Sequence, residues 1–389
     1  MKICERCLND AAQPFRVGFL GDVCLGCITH DERDDPNFDR SSQIFDMIRS
    51  KRSPTGYHAV VPVFGDADDY VTVKLCLDNG INPLILAINN YFYSDIGWHN
   101  LQNLIDFFDV DSVIMSPNFV YYQSLVKRSL VRKRDIYLPY QYLLHSYSLK
   151  LALEKKVKYI VMPINQPCEY TGNFSHFDEA KKSFWYHFNF DFQRTAIEDF
   201  LGSGSLQGLD DLESYCYPEH HKSSGVVGLY LSDYMNWDPG LQNVNVKQLG
   251  FVSEKQTRTF DPFQRVGSSV YYELHDLLRL KKHGYLKVRD QLNREVRFRR
   301  ISRDNALRVY DEYLSKTWNL DTFYQWLDIT KTGAQWLSEH VFGMKEQECH
   351  FTSIDTPREV WQAINWSSLN DMSSTSVKQF CMFEKELHI

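Results

Sequence analysis

Short runs of contiguous apolar residues at 59–64, 83–89, 112–115 and 159–162 alternate with stretches of helical period at 69–79, 97–108, 120–133 and 139–154. Alternation of this kind predicts an α/β domain: a parallel, Rossmann-like sheet with helices on both faces and ligands at the carboxyl ends of its strands. The loops after Val63, Ile88 and Met162 are therefore expected to converge on one pocket. A charged linker at 31–36 and a helix at 41–51 precede this pattern. Beyond Pro163 the periodicity weakens. An aromatic stretch at 174–192 reads as a packed lid or subunit contact, 202–205 and 218–225 read as loops, and helices are expected at 271–282, 302–316, 320–327 and 332–340. The chain thus divides into a cysteine-bearing segment (1–35), the α/β domain (36–235) and a mostly helical region (236–389), whose tail past Thr352 carries no readable motif.

Composition narrows the class. With 43% hydrophobic and 14% aromatic residues in 389, there is ample material for a core of this size. A net charge of −7 gives no general reason to bind nucleic acid. No segment approaches the ~20 consecutive apolar residues of a membrane span, and the start Met1-Lys2-Ile3-Cys4 does not read as a signal peptide, so a cytoplasmic protein is expected.

The first strand runs directly into Phe64-Gly65-Asp66-Ala67-Asp68-Asp69. A strand, a loop and a helix in this order form the place where nucleotide-binding α/β folds cradle phosphates with glycine-lined backbone and a cation. Here three aspartates and a Phe fill the loop. Like charges near 4 Å cost several kcal/mol at an effective dielectric of about 20, so the loop should repel a triphosphate unless Mg2+ bridges the carboxylates.

Two other groups carry chemistry. Cys4 and Cys7 form one C-x2-C pair and Cys24 and Cys27 another, the pattern of a closed, structural tetrahedral Zn2+ site. Cys76, Cys168, Cys216, Cys349 and Cys381 are scattered and read as small buried hydrophobes. His220 and His221 have no third ligand in view. A basic run includes Arg279, Lys281, Lys282, Lys287, Arg289, Arg294, Arg297, Arg299, Arg300 and Arg303. It reads by default as a solvated helix face, and its density makes a diphosphate site nearly as good a reading, with Arg289, Arg294 and Arg297 as the clamps.

Over roughly residues 1–342 the order of features resembles the N-acetyl sugar amidotransferases, PP-loop ATPases of bacterial lipopolysaccharide and surface-glycan biosynthesis. The matching pieces are the cysteine knuckles, Val61-Pro62-Val63 before the loop, Gly97 with Asn100-Leu101-Gln102-Asn103-Leu104, Ser116-Pro117-Asn118, Gln166-Pro167-Cys168-Glu169-Tyr170, Tyr234-Met235-Asn236-Trp237-Asp238, Gly250-Phe251, and the stretches 275–284, 287–297 and 301–306. The resemblance implies adenylylation of an N-acetyl group on a nucleotide-linked sugar by ATP and Mg2+, followed by displacement of AMP by ammonia from a glutaminase and synthase pair. It also implies a Ser-Gly-Gly-Lys-Asp-Ser loop, of which only Gly65 and Asp68 survive, and a cysteine before the fourth strand that 137–142 lacks.

Three functions follow as expectations: a sugar amidotransferase with an unusual loop; a catalytically silent homologue that binds sugar nucleotide or scaffolds glycan-biosynthetic partners; or another adenylylating PP-loop enzyme, such as one modifying tRNA. Whether catalysis persists is left open by the loop. If nucleotide binds, Gly65, Asp66, Asp68 and Asp69 face the phosphates, Asn89 or Asn90 the adenosine, and 165–169, with Glu169, the acceptor.

Overall fold

The computed structural model describes residues 2–10, 18–163, 175–177, 213–218 and 224–343. Five parallel strands form the central sheet: β3 (Ala59–Val63), β4 (Pro83–Ile88), β5 (Ser112–Met115), β6 (Tyr159–Met162) and β7 (Val227–Tyr230), in spatial order β5-β4-β3-β6-β7. Strands β1 (Phe19–Leu20) and β2 (Val23–Cys24) make a separate antiparallel hairpin near the N-terminus. The chain leaves β3 toward β5 and then returns to the other side of β3, so the crevice outside the carboxyl ends of β3 and β6 is the switch point where such sheets place ligands.

Every residue of β3, β4, β6 and β7 is buried, which is why these runs are apolar without alternation. The pleat still sorts them. Val60, Leu84, Leu86, Ile88, Ile160 and Met162 join one core with α5 (Phe119–Lys133) and α6 (Leu138–Glu154). Ala59, Val61, Val63, Ile85, Ala87 and Val161 face a second core shared with α2 (Ser41–Arg49), α3 (Ala67–Asp78) and α4 (Asp95–Phe108). Helix α1 (Leu25–Asp31) follows the hairpin, and the α-helices after the sheet are α7 (Pro239–Asn245), α8 (Ser269–His283), α9 (Val288–Arg297), α10 (Arg303–Leu314), α11 (Asp321–Trp326) and α12 (Lys331–Trp336). The fold is therefore α/β with a helical C-terminal region and an N-terminal cysteine cluster. Among the described residues no helix is long and apolar enough to cross a membrane.

Two sequence motifs meet here. On α4, Asn100 exchanges hydrogen bonds with the backbone of Val252 (2.9 and 2.8 Å), while the Asn103 amide donates to Leu249 O (2.8 Å) and to the Tyr70 hydroxyl (2.9 Å). Gly250 turns with φ +87, and a Cβ there would sit 2.6 Å from Asn103 Oδ1, so only glycine brings the chain this close. The Asn-Leu-Gln-Asn-Leu and Gly-Phe segments are thus two sides of one joint.

Candidate functional site

The loop after β3 ends in Asp66, the N-cap of α3. Gly65 takes φ +80, and a Cβ on it would lie 2.8 Å from Gly97 O, so the loop packs backbone-to-backbone against the start of α4. Asp69, in the first turn of α3, folds back: its Oδ2 accepts the backbone N–H of Phe64 (2.7 Å) and of Asp66 (2.8 Å). Amides at this position are the ones a phosphate loop offers to an anion. An internal carboxylate has taken them.

The loop is also covered. The segment 261–267 crosses its mouth: Gly267 N donates to Asp66 Oδ1 (3.1 Å), and Ser94 Oγ donates to Val266 O (3.2 Å). Gly97 and Gly267 approach so closely that a Cβ on Gly97 would be 2.7 Å from Gly267 Cα, and a Cβ on Gly267 would be 2.1 Å from Phe64 O. Arg265, in the same segment, lies over the Tyr137 ring (5.3 Å) and donates to its hydroxyl (3.1 Å).

Electrostatics follow from this enclosure. Burial pushes the Asp66 carboxyl up to about 6, against the opposing pull of Arg265 and of the Gly267 and Val266 amides. Burial and the neighbouring Asp66 charge push Asp68 up to about 7, opposed by Arg294 and the Gln242 amide. Asp69 is raised well above the carboxylate range, mainly by burial and then by Asp66. The expected repulsion is therefore tempered: the aspartates hold their protons more readily, and Arg265 supplies from far along the chain a cation that acts on Asp66. Such groups bind protons more tightly folded than unfolded, so Asp66 and Asp68 make stability fall as pH rises from about 4 through 7. Asp68→Asn should reduce the loss between pH 5 and 8 by about 2–3 kcal/mol, read from urea midpoints at both pH values.

Asn89 sits at the carboxyl end of β4, beside the loop, where its Oδ1 accepts the Tyr91 N–H (3.0 Å) and its amide donates to Ser116 Oγ (3.3 Å). Asn90 is buried and accepts the Phe92 N–H (2.9 Å). Both asparagines thus hold the turn after β4. Glu169, the rest of 165–169, His220 and His221 lie outside the described residues.

The basic run is divided: Lys281, Lys282, Arg299 and Arg300 are exposed, as a solvated face would be, whereas the arginines of α9 are buried. In α9, Arg289 is buried, pairs with Asp10 and stacks on Tyr285 (3.9 Å). Arg294 pairs with Asp261 (2.9 Å) and Glu295 (2.7 Å). Arg297 points its guanidinium at Cys27 Sγ (3.4 Å), Cys24 Sγ (3.8 Å) and Cys7 Sγ (3.9 Å). All three are engaged inside the protein, at different places, rather than gathered on one open anion site.

The cysteines come together as their spacing predicts. The four Sγ atoms of Cys4, Cys7, Cys24 and Cys27 lie within 4.8 Å of one another and are fully buried. Tetrahedral coordination at about 2.3 Å places sulfurs about 3.8 Å apart, so the cluster can hold a metal ion. Backbone N–H groups of Asn9 (3.4 Å to Cys7) and Cys24 (3.2 Å to Cys4) and the Asn9 amide (3.5 Å to Cys24) donate to the sulfurs, as around metal thiolates. Cys76 and Cys216 are buried as expected; Cys168, Cys349 and Cys381 lie outside the described residues.

Sequence reasoning missed a polar cavity of about 360 Å³ beside the covering segment, bounded by Ser94, Gln256, Thr257, Tyr272, Glu273 and Asn319. No single motif marks it, because its walls come from four separate stretches.

Comparison with known proteins adds one match by sequence. Residues 256–364 match the family model described as LPS biosynthesis protein WbpG-like, C-terminal domain. That span includes the segment over the loop, α8–α12 and the arginines at the cysteine cluster. The match fits a protein like the N-acetyl sugar amidotransferases and supports a place in surface-glycan biosynthesis. A solved structure titled "Structure of NMN synthetase from Francisella tularensis" is similar at 14% identity over 53% of this chain and 90% of that chain, with a TM-score of 0.27, too low to carry an argument. No curated protein matches the chain significantly.

Proposed function

We propose that the protein is a catalytically silent relative of the N-acetyl sugar amidotransferases, one that binds a nucleotide-linked N-acetyl sugar or holds glycan-biosynthetic partners without activating ATP. The observation that carries this is Asp69: its carboxylate occupies the two amides that would grip a phosphate, while Gly267 closes the loop from outside. Zn2+ in the cysteine cluster is structural in this reading, since all four positions are filled by protein sulfurs. With Arg289, Arg294 and Arg297 engaged elsewhere, the sugar is best received by the cavity near Ser94, where Lys255 and Arg258 stand beside hydroxyl, amide and carboxylate groups that suit a polyhydroxylated ligand.

The second reading, an ATP-dependent amidotransferase served by a glutaminase and synthase pair, draws on the WbpG-like match. It requires Asp69 and Gly267 to release the loop.

Thermal unfolding separates the two. Silent binding predicts no shift with ATP and Mg2+ at any concentration and a shift with UDP-linked N-acetyl sugars; a ligand at a hundredfold excess over its Kd stabilises by about 2.7 kcal/mol. Pyrophosphate release from ATP with such a sugar and ammonia would instead establish the amidotransferase.

A further inference from the structure

The N-terminal segment and the WbpG-like region are joined by an unusual set of contacts. Leu8 packs with Leu286, Val288, Leu292, Ala306 and Tyr313. The Asn293 side chain accepts the Leu8 N–H (2.7 Å) and donates to Asn9 Oδ1 (2.7 Å). Arg289 pairs with Asp10, and Arg303 donates to the carbonyls of Cys4 (3.3 Å) and Cys7 (3.2 Å). At the centre, the buried Arg297 faces three of the four sulfurs.

Four thiolates around a divalent ion carry an excess of two negative charges, and a buried excess charge is unfavourable unless paired. Among the described residues Arg297 is the guanidinium in contact with these sulfurs. Its fork reaches three of them at once because they lie together in one cluster. We propose that Arg297 completes the metal centre as its charge-balancing, positioning partner, so that the bound ion fastens α9 and α10 of the WbpG-like region to the cysteine segment. Metal occupancy then controls the docking of these two helices, while the sheet, which makes no contact with the cluster through these residues, keeps its fold. The inference stands whether or not ATP binds.

The test uses the full-length chain loaded with Zn2+, or with Co2+ as an optical probe. Stripping the metal with excess chelator should raise amide hydrogen exchange across Val288–Arg297 and Arg303–Leu314 and leave β3 and β4 protected. Arg297→Leu should release Zn2+ to a chromogenic chelator about 10–100-fold faster than wild type, the usual effect of losing an outer partner of a metal ligand. Arg297→Lys, which keeps the charge and loses the fork, should fall between. In the Co2+ form, Arg297→Leu should shift the sulfur-to-cobalt charge-transfer bands, which a packing role alone would not move. Unchanged exchange in both helices after stripping would overturn the proposal, a result that needs no variant to fold. So would wild-type release and an unshifted cobalt spectrum in Arg297→Leu.

Discussion

Asp69→Ala is expected to lower folding stability by about 2–5 kcal/mol, while Asp69→Asn at the same position stays within about 1 kcal/mol of wild type. The alanine leaves the N–H groups of Phe64 and Asp66 without their acceptor in an enclosed loop, and each buried, unmade hydrogen bond costs about 1–3 kcal/mol. Asparagine keeps an oxygen in place. It also removes the penalty of burying a charge, which already raises the Asp69 carboxyl well above its ordinary range. Urea unfolding at pH 7 reads both variants. Equal losses in the two would mean that the negative charge, not the acceptor, holds the loop, and a loss below 1 kcal/mol in Asp69→Ala would remove the argument that this carboxylate stands in for a phosphate.

Gly267→Ala is expected to be at least as damaging, about 3 kcal/mol or more. A methyl at this position would lie 2.1 Å from Phe64 O and 3.2 Å from Phe64 C, and both are backbone atoms that no rotamer change can move aside. The segment must lift, losing the Gly267–Asp66 hydrogen bond and exposing Val266, which is fully buried. Hydrogen exchange at Val266 and Gly267 should rise together with the loss of stability. Gly97→Ala attacks the same contact from the other side, 2.7 Å from Gly267 Cα. The double variant should therefore lose much less than the sum of the singles, because the segment can be displaced only once. Additive losses would show that the two glycines act separately.

The α/β frame was legible because strands buried on both faces are written as unbroken apolar runs, and four of the five strands were located to within a residue or so. The fifth, Val227–Tyr230, was missed: its apolar run is broken by Gly228, and it is specified by pairing with β6 rather than by local pattern. The cysteine cluster was legible for the opposite reason, since its ligand spacing is local. The burial of helix α9 was hidden. Its arginines look solvent-bound in sequence, and their partners Asp10 and Cys7 lie 279 and 290 residues away. The aspartate loop was half legible: the charges could be read, but not the amides that Asp69 accepts, nor the Arg265 that returns a cation to the site. Composition shows what a residue carries, and only the fold shows what it faces.

The meeting of Gly65, Gly97 and Gly267 leaves less room than one methyl group between three stretches of main chain. A phosphate is larger than a methyl, so any ligand entering there must first find the molecule with residues 261–267 swung away. Its apparent affinity is then its intrinsic affinity multiplied by the share of molecules in that state. A substitution that loosens this junction would act on any phosphate-bearing ligand of the loop as a change in population, strengthening binding without adding a single contact.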